Sequence, residues 1–226
     1  MTHLDSELKQ LRIDLLDMFE LVLSQLDKSK EALVNLDKDL AREVLVNEKR
    51  VNSFELQIDR DCENIIALFN PVAVDLRFLL AVLKINSNLE RVGDIAESVC
   101  QFVMNFKLEP EKKLLEASRL LEMFDVSKEI LKTVKDAFEL EDTKLARSVF
   151  TQDETLDEIN INAHTIIADY ILNNNDRINQ SLYTLSMIRK LERVGDQCKN
   201  IAEEIIFYIE AKVLKHKSFQ QKQETK

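Results

Sequence analysis

Two pairs of carboxylates sit four residues apart in a hexamer that occurs twice. Leu89-Glu90-Arg91-Val92-Gly93-Asp94 returns as Leu191-Glu192-Arg193-Val194-Gly195-Asp196, 102 positions later. At this spacing both acids of a copy share one helix face, where like charges are mildly unfavourable unless something neutralises them. The hexamers also contain the chain's only glycines, Gly93 and Gly195. Inside a helix a glycine costs about 1 kcal/mol relative to alanine. A residue without a side chain is therefore wanted here, where a neighbouring helix, an ion or bridging oxygens approach the backbone.

Further acids break seams that should be apolar. Read at 3-4 spacing, one stretch gives Val44, Glu48, Val51, Glu55, Ile58, Cys62, Ile65 and Phe69. The corresponding stretch of the second half gives Val149, Asp153, Leu156, Asn160, Ala163, Ile167 and Tyr170, with polar residues at the same two steps. Beside them, one turn on, lie Asn52 and Asp157. An acid in a packing seam is costly unless it is paired, hydrogen-bonded or metal-bound. Lys199, one step after Gly195, is the one basic residue that interrupts these seams. A polyvalent cation is then an economical way to hold the carboxylates together, and all-oxygen donors suit Mg, Ca, Mn or iron, with zinc also admitted. A lone ExxxD on the helix of an acidic protein is ordinarily a solvated face. Duplication, the rare glycines and the acids on a second helix argue for a metal site here.

Long helices must position these residues. The 3-4 seam Leu4, Leu8, Leu11, Leu15, Met18, Val22 predicts a first helix over about Leu4 to Leu33. Asp37 then caps a second that runs to about Phe69. Asn70-Pro71 reads as an N-cap with proline at the first helical position, starting a third helix that reaches about Lys107. After Glu109-Pro110 a fourth extends to about Leu140, a fifth capped by Asp142 ends near Asn173–Asp176, and a sixth spans about Arg177 to Val213. The halves also match outside the hexamer: Leu16–Glu20 parallels Leu121–Asp125, and Ala41-Arg42 with Val44 parallels Ala146-Arg147 with Val149, each 105 residues on. The expected fold is all-α: two tandem, pseudo-symmetric three-helix bundles made of six long helices. They divide as residues 1–108 and 109–216, with a polar tail at 217–226.

Composition agrees and excludes several classes. In 226 residues there are two prolines, two glycines and no tryptophan, which reads as almost wholly helical. A net charge of −10 argues against nucleic acid as a partner. No apolar run is long enough to span a membrane, and no signal-peptide pattern opens the chain. Cys62, Cys100 and Cys198 have no ligand spacing and read as buried apolar residues in a reducing cytoplasm. His3 and His216 lie near the ends, and His164 reads as a rim or solvated residue. No ExxH accompanies the acids, no nucleophile–base constellation is present, and no glycine loop cradles phosphate. A carboxylate-bridged metal enzyme in a helical bundle stands as the alternative to a non-catalytic role.

Pro71-Val72-Ala73-Val74-Asp75-Leu76-Arg77, the two hexamers and Asn200-Ile201-Ala202-Glu203 closely resemble the PhoU family, regulators of bacterial phosphate uptake. The resemblance covers essentially the whole chain. It implies a pair of three-helix bundles bearing metal clusters on ExxxD or DxxxD motifs, with iron or zinc ahead of Mg, Mn or Ca. It also implies a non-enzymatic, cytoplasmic negative regulator that links the ATPase of the phosphate ABC transporter to a sensor histidine kinase. Such a protein forms a homodimer and is peripheral to the membrane through its partners. By position, one metal site takes Glu48, Asn52, Glu90 and Asp94, and the other Asp153, Asp157, Glu192 and Asp196. Asn52 stands where the family usually has a second acid, Gln197 replaces a histidine common after the second hexamer, and Lys199 adds a positive charge nearby. With four acids against three, the second site is the one expected to take metal first.

Overall fold

The computed structural model describes residues 2–106 and 109–213; His216 and the 217–226 tail lie outside them, as does Lys107. The described residues form α1 (His3–Asn35), α2 (Lys38–Phe69), α3 (Val74–Asn105), α4 (Lys112–Ala117), α5 (Leu120–Leu140), α6 (Thr143–Gln152), α7 (Glu154–Asn173) and α8 (Ile178–Glu210), with a short 3-10 turn at Asn175–Arg177 and no strand. The expected all-α fold of two three-helix bundles is therefore present. α1, α2 and α3 pack together as the first bundle; α5, α8 and the α6–α7 pair form the second.

Capping sets several of these boundaries. Asp37 accepts from the backbone N–H groups of Asp39 and Leu40 at the start of α2, and Asp142 does the same for Lys144 and Leu145 at the start of α6. Thr2 and Asp5 form a reciprocal capping box on α1.

Four expectations about boundaries need correction. Asn70 ends α2 in the left-handed region (φ 48°) instead of starting the third helix, and Pro71 lies in the connection; α3 begins only at Val74, after Ala73 with φ 49°. The helix expected after Pro110 is broken at Arg119, whose φ of 54° ends one segment and begins another. Arg119 is held there by ion pairs to Glu122 and, at 3.1 Å, to Glu158. The helix expected from Asp142 is interrupted at Asp153, where Leu156 N–H donates to Asp153 O at 2.9 Å in one tighter turn. The last helix stops at Glu210, short of Val213, because Ala211 turns left-handed at φ 55°.

The bundles meet through equivalent helices: α1 lies on α5, and α3 on α8. The symmetry reaches individual ion pairs. Lys30 binds Asp125 at 2.5 Å and Lys135 binds Glu20, and both the lysines and the acids are 105 residues apart. Along the same seam Asp27 pairs with Lys128 at 2.6 Å, and Arg12 with Glu141 at 2.5 Å. Beneath Arg12, rings from all four interface helices cluster: Phe19, Phe78, Phe138 and Tyr208, with centroids 5.6–6.3 Å apart. The guanidinium lies 5.0 Å and 5.1 Å from the Phe78 and Phe138 centroids. One continuous apolar core thus runs through both bundles. The three cysteines are free and buried in it.

Candidate functional site

Each hexamer faces the seam acid of the neighbouring helix across its glycine. In the first bundle Glu48, on α2, is 4% exposed and lies over Gly93 of α3; a Cβ added there would meet Glu48 Oε2 at 3.1 Å and Val51 Cγ1 at 3.2 Å. In the second, Asp153 is 2% exposed and lies over Gly195 of α8, where a Cβ would come within 1.9 Å of Asp153 Oδ1 and 2.9 Å of Leu156 Cδ1. Neither glycine has a positive φ. Space for the facing carboxylate, not backbone freedom, is what each supplies.

The surroundings of the two acids differ. Gln25 of α1 is buried beside Glu48; in the amide orientation that satisfies both of its ends, its nitrogen donates to Glu48 Oε2 and its oxygen accepts from Glu48 N–H, each at 3.1 Å. Glu48 Oε1 is buried with no hydrogen-bond partner. Burial, then the nearby charges of Asp94, Glu97 and Glu90, push the Glu48 carboxyl up to about 7, against a smaller lowering by Gln25. Glu55 and Glu90 are raised as well, chiefly by burial, then by Asp59 and Asp94 for Glu55 and by Asp94 and Glu55 for Glu90. Arg91 opposes these shifts in both, yet among the described residues it forms no ion pair with either. Asn52 is exposed. Glu55, named in the seam but left out of the predicted site, and Glu97, one turn after Gly93, belong to this cluster electrostatically.

In the second bundle a cation is already in place. Lys199 Nζ pairs with Asp153 Oδ2 and, at 2.9 Å, with Asp196 Oδ1. Asp153 is raised by burial and lowered by its hydrogen bond to Lys199. Glu192 is raised by burial, then by Asp196, Asp157 and Asp153. These four predicted residues thus act on one another, with the ammonium among them. His164 is exposed, its Nε2 2.7 Å from a guanidinium nitrogen of Arg189.

A family model described as the PhoU domain matches residues 15–103 and again 120–205. The chain belongs to the PhoU family. Among curated relatives, the phosphate-specific transport system accessory protein PhoU of Edwardsiella tarda is 32% identical over 212 residues, covering 94% of this chain and 86% of that protein. The protein of the same description from Escherichia coli K12 is 31% identical, covering 94% and 87%. Among solved structures, PhoU from Pseudomonas aeruginosa superimposes with a TM-score of 0.85 at 29% identity, over 92% of this chain and 99% of that one. The relatives are thus named as accessory proteins of phosphate transport. Among the described residues of this PhoU chain no helix is long and apolar enough to cross a membrane.

The metal that PhoU membership implies can be tested against each donor set. In the first bundle the donor chemistry fits: Glu48 offers a buried, unpartnered oxygen among further carboxylates, which only the charge of Arg91 offsets among the described residues. The carboxylates are gathered without converging, for no three Asp, Glu, His or Cys side chains among the described residues are grouped as ligands of one ion. In the second bundle the set does not fit, because the Lys199 ammonium already holds an oxygen of Asp153 and one of Asp196.

Proposed function

We propose that this chain is a negative regulator of phosphate uptake and phosphate-starvation signalling. In this reading it works as a homodimeric, cytoplasmic adaptor between the ATPase of the phosphate ABC transporter and a sensor histidine kinase. The observation that carries the reading is the PhoU match in both halves, together with relatives named for the phosphate transport system that cover almost the whole chain. An adaptor works by contact, and the long helices present extended faces for it. The thiols near the carboxylates, Cys100 and Cys198, are pushed up by burial and stay protonated, and the His164 ring lies on Arg189, which favours this role over the metal-enzyme alternative.

Metal binding belongs to the same proposal, at the first bundle. Glu48, Glu90 and Asp94 would hold the ion there, Asn52 being a poorer donor on an exposed face. The ion's positive charge, when bound, would tie α2 to α3 and offset a cluster that otherwise repels phosphate. Iron and zinc come first by family resemblance, followed by Mg, Mn and Ca.

The test is affinity capture of the tagged chain from phosphate-replete cells, alongside a phosphate-starvation reporter in a strain lacking it. Recovery of the transporter ATPase or the kinase, with derepression in the deletion strain, is expected. Recovery of neither, with an unchanged reporter, overturns the adaptor reading.

A further inference from the structure

We infer that Lys199 is a built-in substitute for metal in the second bundle, leaving the first bundle, of the two clusters, as the one with a cation to recruit. The inference rests on the metal-binding part of the proposal for its contrast and on the geometry of the second bundle for its substance. Position 199 is the counterpart of position 97, at the same 102-residue offset that relates the two hexamers, and the residue at 97 is glutamate. A single position has therefore taken opposite charges in the two copies. The first bundle has an acid there that acts on Glu48; the second has a lysine that bridges Asp153 and Asp196.

The geometry gives the buried acid its cation already. Asp153 is nearly inaccessible, with Oδ2 on the ammonium and Oδ1 in the space over Gly195. That Oδ1 is buried without a hydrogen-bond partner. An ion entering this cluster would have to expel the ammonium, which is itself only about a quarter exposed (27%). Lysine carries one charge on a flexible stem, so it bridges two carboxylates and offsets one of their charges without the several oxygens a divalent ion demands. The second bundle thereby keeps its acid-over-glycine packing whether or not metal is supplied. The two copies have divided the work, one as a fixed structural cluster and the other as a site that responds to a cation.

The experiment measures metal per chain by elemental analysis, on full-length protein stripped with chelator and then dialysed against Mn(II), Zn(II) or Fe(II). Wild type, Lys199→Glu, Lys199→Gln, Glu97→Lys and the Glu192→Ala/Asp196→Ala pair are compared, each with its Tm before and after metal. Lys199→Glu should gain an ion that wild type lacks, with a metal-dependent rise in Tm. Glu97→Lys should lose the first-bundle ion, while Glu192→Ala/Asp196→Ala keeps the wild-type content. If Lys199→Glu does not fold without metal, Lys199→Gln answers instead, by a lower metal-free Tm that added metal restores. Loss of wild-type metal in Glu192→Ala/Asp196→Ala overturns the inference, as does failure of both Lys199 variants to gain metal. Should wild type bind no ion while Lys199→Glu does, the first-bundle reading fails and the role of Lys199 stands.

Discussion

The two halves place a buried acid over a glycine in the same way and then neutralise it differently. Asp153 is answered by an ammonium on the next helix, whereas Glu48 is answered by the neutral amide of Gln25 and surrounded by further carboxylates. The position equivalent to Gln25, 105 residues on, is Ile130, so the second bundle has no amide there. Duplication thus preserved the packing and left the charge free to diverge. Counting the predicted acids, four against three, ranks the second site as the more anionic; Lys199 brings the two level, and Glu55 and Glu97 then make the first the more anionic.

That contrast is most easily broken at Lys199. Lys199→Met leaves Asp153 buried without its partner and should cost about 3 kcal/mol of unfolding free energy, near the lower end for an orphaned buried charge. Urea denaturation checks it, and an Asp153→Asn partner change should recover much of the loss.

Next in size is the pH response of the first bundle. Glu48 is raised from 4.5 to about 7 in the fold, so the folded protein retains a proton that the unfolded chain releases. Stability contributed by this group is whole below about pH 4.5 and falls as pH rises toward 7. The nominal change is on the order of 3 kcal/mol before solvent screening reduces it. Metal-free Glu48→Gln should show a visibly shallower decline over that window in thermal melts. Glu55, Glu90 and Asp153, raised in the same direction, keep the slope from vanishing.

The glycines should separate as well. Gly195→Ala drives a methyl into Asp153 and Leu156 and should destabilise by about 1–2 kcal/mol. Gly93→Ala meets its neighbours at 3.1 Å and 3.2 Å. There a displacement of a few tenths of an ångström is offset by alanine's better helix propensity, so the change should stay within about 1 kcal/mol. Smallest are the symmetric ion pairs of the α1–α5 seam. Lys30→Ala and Lys135→Ala should each cost about 0.5 kcal/mol, and less at high salt. Equal effects from the two would extend the symmetry of the halves to energetics.

Much of the molecule was legible in its residues. The 3-4 seams and the Asp37 and Asp142 caps locate long helices, and the repeated hexamer with its matching flanks shows a duplicated bundle. The acids in the seams identified Glu48 and Asp153 as buried polar positions before any fold was known. The helix breaks at Arg119 and Asp153 were not legible, because neither is marked by glycine or proline. Asn70-Pro71 misled for a local reason: asparagine adopts the left-handed conformation readily and ended one helix where a cap for the next was expected. Glu55 was visible in the seam, but its membership of the cluster, like that of Glu97, depends on charge acting between α2 and α3.

The sequence by itself determined the all-helical duplication, the facing of acids and glycines, and the family, because periodicity, rare residue types and motifs are properties of the chain read in order. Only the tertiary structure decided which cluster is neutralised. Attraction between charges depends on distance through space, and Lys199, a nearby charge in the sequence, lies in the fold on Asp153 and Asp196 together.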